Sequence, residues 1–198
     1  MSERAGLDYC IVGGAAAQIW NASLLTGNGK VSLDRQPELA FRLRTTRDID
    51  VSTESDPSDM LQILNGWASL GKAPISVLSP RAIKLREILI NITLEPADVT
   101  GFVERYHQIL ANSSPLQLRK GNRLLSVRVE ALEDLMATKL TRKGNQAKDL
   151  VDLDNLLTSL REARRTADLA SLRSWLREDS GALALLESYQ DEYPEAFN

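Results

Sequence analysis

The chain has 198 residues, 43% of them apolar and 26% charged, with a net charge of −3 and a single cysteine. That is enough chain to bury a sizeable core, as one domain or as a core with a small helical appendage. The charge balance argues against indiscriminate nucleic-acid binding, the lone Cys10 excludes an internal disulfide or a multi-cysteine zinc site, and no apolar run approaches the ~18 residues of a membrane span. No charged-then-apolar leader opens the chain, so a cytosolic setting without a membrane partner is expected.

Residues 1 to 7 read as a loose start. Tyr9-Cys10-Ile11-Val12 is a short apolar run that predicts a first strand, with Cys10 in the core. It ends in Gly13-Gly14, followed by Ala15 to Leu25, a good helix former broken at Gly27-Asn28-Gly29. Strand, glycine pair and helix together allow backbone N–H groups and a helix N-terminus to approach phosphate oxygens; a tight turn without a ligand is the plainer alternative. From Lys30 to Ala40 no period stands out, which predicts a loop or short helix.

Arg44-Thr45-Thr46-Arg47-Asp48-Ile49-Asp50-Val51 follows, with a second strand expected from Asp48 to Thr53. On a strand, Asp48 and Asp50 leave the same face two residues apart. Two carboxylates aimed at one point repel unless a cation separates them, and hard Mg²⁺ is commonly held by one or two carboxylates plus substrate phosphates. Arg44 would pair with these aspartates or touch phosphate, and Thr46 would hydrogen-bond at the turn.

Asp56-Pro57 opens a predicted helix whose Met60, Leu61, Leu64, Trp67 and Ala68 recur at helical spacing up to Gly71. Ile75 to Leu78 reads as a strand, and residues 83 to 94 as another, with Ile88, Ile90, Ile92 and Leu94 on one face and Leu89, Asn91, Thr93 and Glu95 on the other. A helix from Asp98 to Ala111 carries the sole histidine, His107, read as a surface residue. Leu116 to Leu118 and Leu124 to Val129 flank Gly121-Asn122 as a hairpin.

Glu130 to Thr141 and Gln146 to Arg161 are predicted helices, separated by Gly144-Asn145, with Leu150, Leu153, Leu156, Leu157 and Leu160 as the inward stripe of the second. Thr166 is the expected cap of a further helix, Gly181 a break, and a last helix ends before Pro194. On the first of these helices Lys139 lies in an apolar face, where a bare ammonium is costly and a phosphate would relieve it; a lysine snorkelling at the helix edge fits as well. Arg142 is one turn on, and Asp149 and Asp152 are likewise one turn apart, which also suits an ordinary charge ladder between helices. The middle of the chain is basic, from Arg42, Arg44 and Arg47 through Arg119, Lys120, Arg123 and Arg128 to Lys148, and the stretch from Glu178 to Glu195 is acidic. A basic centre suits a triphosphate or RNA, or solvated faces.

The combination of Val12-Gly13-Gly14 with Arg44-Thr45-Thr46-Arg47-Asp48-Ile49-Asp50 resembles the nucleotidyltransferase superfamily with the DNA polymerase beta-like fold. Leu132-Glu133-Asp134-Leu135-Met136-Ala137-Thr138-Lys139-Leu140 and Arg142…Lys148-Asp149-Leu150-Val151-Asp152-Leu153 look like the downstream segments of its AbiEii-like branch, which supplies toxins of toxin–antitoxin systems. The resemblance covers about residues 9 to 157. It implies an α+β fold with a mixed sheet, a nucleotidyltransferase core over residues 1–129 and a helical C-terminal region over 130–198. It further implies Mg²⁺-dependent transfer of a nucleotidyl group from a nucleoside triphosphate to tRNA, a protein hydroxyl or a small molecule such as an aminoglycoside, and a cognate antitoxin as partner.

By the same resemblance Asp48 and Asp50 hold the metal, Gly13, Gly14, Arg44, Thr46, Lys139 and Arg142 meet the nucleotide, and Asp149 serves as base or orients Lys139. The position matching the superfamily's third carboxylate is Asn91, a departure from the pattern; Glu87 and Glu95 share its parity without matching it. Two rival readings are therefore a catalytically degenerate relative that binds nucleotide or a partner, and an RNA-binding module that uses the basic middle.

Overall fold

The computed structural model describes residues 9–26, 30–32, 48–53, 59, 62, 75–79, 82–85, 88–93, 108–142 and 147–198. The run Tyr9–Val12 forms β1, and the chain turns at Gly13 straight into helix α1, Gly13–Thr26. Next come β2 (Lys30–Ser32), β3 (Asp48–Thr53), β4 (Ile75–Ser79), β5 (Ala82–Leu85) and β6 (Ile88–Thr93). A helical stretch over 108–112 leads to the hairpin of β7 (Ser114–Lys120) and β8 (Arg123–Val129). Four helices close the chain, α2 (Leu132–Thr141), α3 (Ala147–Ala163), α4 (Leu169–Leu176) and α5 (Ser180–Glu192), before a 3-10 turn at Pro194–Ala196.

Among the described residues eight strands join in one mixed sheet of order β2-β7-β8-β1-β3-β6-β5-β4. β1 runs antiparallel to β3 and parallel to β8, and β3 runs parallel to β6. The architecture is the expected α+β one with a mixed sheet. The hairpin turns at Gly121, with φ +57°, as its Gly-Asn dipeptide predicts.

Alanines 15, 16 and 17 are buried and small, so α1 lies close over the sheet, with Trp20 and Leu24 filling the next turns. One apolar cluster runs from Cys10 and α1 through Val127 and Val129 of β8 to Leu153, Leu156, Leu157 and Leu160 of α3. Each of those four leucines is at most 1% exposed, a burial worth about 2 kcal/mol apiece before chain entropy is counted. Within this apolar contact Ser159 donates a 2.8 Å hydrogen bond to Asn21 Oδ1, a buried pair that registers α3 on α1.

Four local expectations change. Lys30–Ser32 is a strand rather than a loop, because it pairs in parallel with Gln117, Leu118 and Arg119 of β7. The run from 83 to 94 divides into β5 and β6, which pair antiparallel. Asp168, not Thr166, caps α4, accepting from the Ser171 N–H at 3.1 Å. Gly181 sits inside the first turn of α5, whose cap is Asp179 accepting from the Ala182 N–H at 2.9 Å. Ordinary capping chemistry, worth about 1 kcal/mol each, sets both starts. Among the described residues no helix is long and apolar enough to cross a membrane.

Candidate functional site

Antiparallel pairing of β1 and β3 puts Val12 opposite Asp50, so the end of β1 and the aspartate pair meet at one place in the sheet. Strand alternation sends Asp48 and Asp50 from one face of β3, and both are half-buried, whereas Val51, Ser52 and Thr53 beyond them are buried. The carboxylates therefore stand at the open end of an otherwise enclosed strand.

Gly13 is where the chain leaves β1, and its φ is +66°, the left-handed region that favours glycine. A second constraint acts at the same atom. A Cβ built on Gly13 would lie 3.2 Å from Asp50 Oδ2, closer than side chains ordinarily pack. The glycine thus gives the turn its handedness and leaves the space that the Asp50 carboxylate occupies. A carboxylate at the start of α1 is also favoured by the helix dipole.

Beneath the turn lies Glu130, directly after β8 and 1% exposed. Its carboxyl accepts the Gly13 N–H through Oε2 at 3.4 Å and the Thr138 hydroxyl through Oε1 at 3.1 Å. Its main chain is fixed too: the N–H donates to Ile11 O at 2.9 Å, and the carbonyl accepts the Trp20 indole N–H at 2.8 Å. Burial pushes this carboxyl up to about 7; Asp134 adds to the rise, while the hydrogen bonds from Thr138 and Gly13 and the Lys139 charge oppose it.

Lys139 follows on the next turn of α2 and is 3% exposed. Its Nζ lies 2.7 Å from Asp152 Oδ2 and 3.2 Å from Asp149 Oδ1. Arg142 Nη1 donates to both oxygens of Asp149, at 3.2 and 3.3 Å. Two cations of the α2 segment thus face two carboxylates of α3, a balanced buried group. Its side chains differ in exposure: Arg142 is 21% exposed against 1% for Asp149. These pairs form a charge ladder between α2 and α3 that holds the Lys139 ammonium away from solvent.

The structure brings Asp50, Gly13, Glu130 and Thr138 together in one group and Lys139, Arg142, Asp149 and Asp152 in a second, with Thr138 and Lys139 adjacent on α2. Asn91 is placed by register alone, as the parallel partner of Asp50, with Leu89 partnering Asp48. Gly14 lies in the first turn of α1. Arg44, Thr46, Glu87, Glu95 and His107 lie outside the described residues. Glu130 was not singled out from the sequence, because an acid at a helix start reads as an ordinary dipole partner. The signal available was its place directly behind a buried strand end, at Val129.

The residues that could hold a metal here are the two aspartates, Asp48 and Asp50. No group of three or more His, Cys, Asp or Glu able to hold an ion occurs among the described residues. Two oxygen ligands at a half-open site suit Mg²⁺, which keeps waters or substrate oxygens in its remaining positions. A separate polar cleft of about 450 Å³, between Asp134, Ser171, Trp175 and Arg177, contains none of the aspartate-site residues.

No protein-family model matches the chain, and no curated protein does. Among solved structures it is similar to the antibiotic-resistance factor ANT(2'')-Ia, with a TM-score of 0.43 and 14% identity over 96% of this chain and 91% of that one.

Proposed function

We propose that the chain is a Mg²⁺-dependent nucleotidyltransferase, in which Asp48 and Asp50 hold the metal against the triphosphate of a nucleoside triphosphate. The observation that carries this reading is the seating of Asp50 on Gly13: a half-buried aspartate pair stands at the point where a central strand turns through a glycine into a helix N-terminus. Mg²⁺ bound there would neutralise triphosphate charge as the phosphoryl bond to the leaving group breaks.

The chain's own residues supply position and charge. Gly13 leaves the space that the Asp50 carboxylate takes, and the first-turn N–H groups of α1, Gly14 among them, favour negative charge. Arg142, the part-exposed member of the buried ion group, and Lys139 meet the nucleotide, with Asp149 as base or as orienter of Lys139; Arg44 and Thr46 are assigned to the nucleotide by the resemblance of their motif alone. The acceptor is a hydroxyl of RNA, a protein or a small molecule, and the biological setting is a toxin with a cognate antitoxin, with residues 1–129 as the catalytic core and 130–198 as its helical support. These last assignments rest on the resemblance of the sequence motifs.

The register that pairs Asp50 with Asn91 favours a second reading, a relative that binds nucleotide or a partner without turnover. Incubation with each α-labelled triphosphate, Mg²⁺ and cell RNA or protein separates the two. Label transferred by the wild type and lost in Asp50→Ala supports the enzyme. Nucleotide binding without transfer supports the degenerate relative.

A further inference from the structure

We propose that Glu130 is a positioning residue of the aspartate site: its buried carboxyl holds the Gly13 N–H and thereby sets the turn on which Asp50 is seated. The inference deepens the proposed function and rests on it for the role of Asp50, while the contacts of Glu130 stand by themselves.

Glu130 is 1% exposed, so its carboxyl faces protein groups rather than solvent. What it touches is structural on every side. Its N–H and carbonyl bond Ile11 of β1 and Trp20 of α1, and its two carboxyl oxygens bond Gly13 and Thr138. One side chain therefore ties the end of β1, the start of α1 and the middle of α2.

The choice of a carboxyl there has a physical cost that an apolar side chain would avoid, since burying an ionisable group without full pairing is unfavourable. That cost is met by what the oxygen does for the turn. Gly13 opens α1, so its N–H has no acceptor within the helix, and an N–H buried without a partner is unfavourable. Glu130 Oε2 accepts it. With that N–H directed inward, Gly13 presents its Cα hydrogens to Asp50, at the approach that leaves no room for a Cβ.

The groups acting on Glu130 from the packed elements are Asp134 and Lys139 of α2, and Lys139 is in turn held by Asp149 and Asp152 of α3. Lys139 therefore acts on Glu130 through its charge, while the direct contact from α2 to Glu130 is the Thr138 hydroxyl.

The test uses the full chain labelled with ¹⁵N and ¹³C, in wild type, Glu130→Gln and Glu130→Ala forms. In the wild type the Gly13 amide resonance should move with pH as the Glu130 carboxyl titrates. In Glu130→Gln, which keeps a carbonyl oxygen for that N–H, the movement should disappear while the Asp50 carboxyl resonance stays in place. Mn²⁺ affinity in the presence of a non-hydrolysable triphosphate should fall about tenfold in Glu130→Ala and be rescued in Glu130→Gln, as for groups that orient metal ligands. A Gly13 amide indifferent to pH in the wild type overturns the proposal, as does a folded Glu130→Ala with wild-type Asp50 resonance. If the wild type binds no Mn²⁺, the functional reading fails, and the two resonances still decide the role of Glu130. Should Glu130→Ala not fold, Glu130→Gln and the wild-type titration carry the decision.

Discussion

Asp50 Oδ2 stands 3.2 Å from where a Cβ of Gly13 would lie, so the aspartate and the glycine share one space at the end of β1. That approach joins the acidic strand to the turn that opens α1.

Gly13→Ala tests it directly. The left-handed φ should cost about 1–2 kcal/mol, and the new methyl group should push the Asp50 carboxylate aside. Gly121→Ala is the control, since its φ is also positive while nothing lies within 4 Å of the added atom. Chemical denaturation should reveal similar losses in the two variants, and only Gly13→Ala should weaken Mn²⁺ binding. Equal metal binding in both would remove the shared space from the account.

Lys139→Ala should leave Asp149 and Asp152 buried with too little positive charge. Removing one partner of a buried ion group typically costs roughly 3–5 kcal/mol. Urea unfolding measures the difference, and a loss under 1 kcal/mol would mean that the lysine does not hold α2 to α3.

Glu130 predicts an unusual pH dependence. Its carboxyl takes up a proton more readily when folded, near 7, than in the unfolded chain, near 4.5. The folded state therefore binds more protons between those values, and this group's contribution to stability declines as pH rises from about 4.5 to about 7, then levels off. The full decline is roughly 3 kcal/mol by linkage. Thermal melts of wild type and Glu130→Gln should show the variant gaining on the wild type as pH increases from 5 to 8. A gap independent of pH would show that Glu130 is not buried as described.

Much of this was legible in the sequence for local reasons. Tyr9 to Val12 before a glycine pair, the alternation of Asp48 to Thr53 and the Gly121-Asn122 turn each carry their own structural cause within a few residues. β2 does not: Lys30–Ser32 has no period of its own and becomes a strand only because β7, far along the chain, offers it an edge. The cap of α4 was misplaced because Thr166 and Asp168 are both capping residues, and only the hydrogen bonds of Asp168 to Ser171 decide between them.

In the site, the residue types were visible but their partners were not. Lys139 and Asp149 stood out, yet spacing along two helices does not reveal that Asp152 makes the shorter contact with the ammonium. Glu130 escaped notice because its role comes from two contacts, Gly13 and Trp20, that are more than 100 residues away.

The central claim is that Asp48 and Asp50 form a site shared by Mg²⁺ and a triphosphate, and calorimetric titration of Mg²⁺ with and without a non-hydrolysable triphosphate tests it most directly. Two carboxylates leave several metal positions to be filled by phosphate oxygens, so triphosphate should tighten Mg²⁺ binding and Mg²⁺ should tighten triphosphate binding by the same factor. Asp50→Ala should abolish that coupling while leaving the fold intact. Equal Mg²⁺ affinity in the presence and absence of triphosphate, or coupling that survives in Asp50→Ala, would contradict the account.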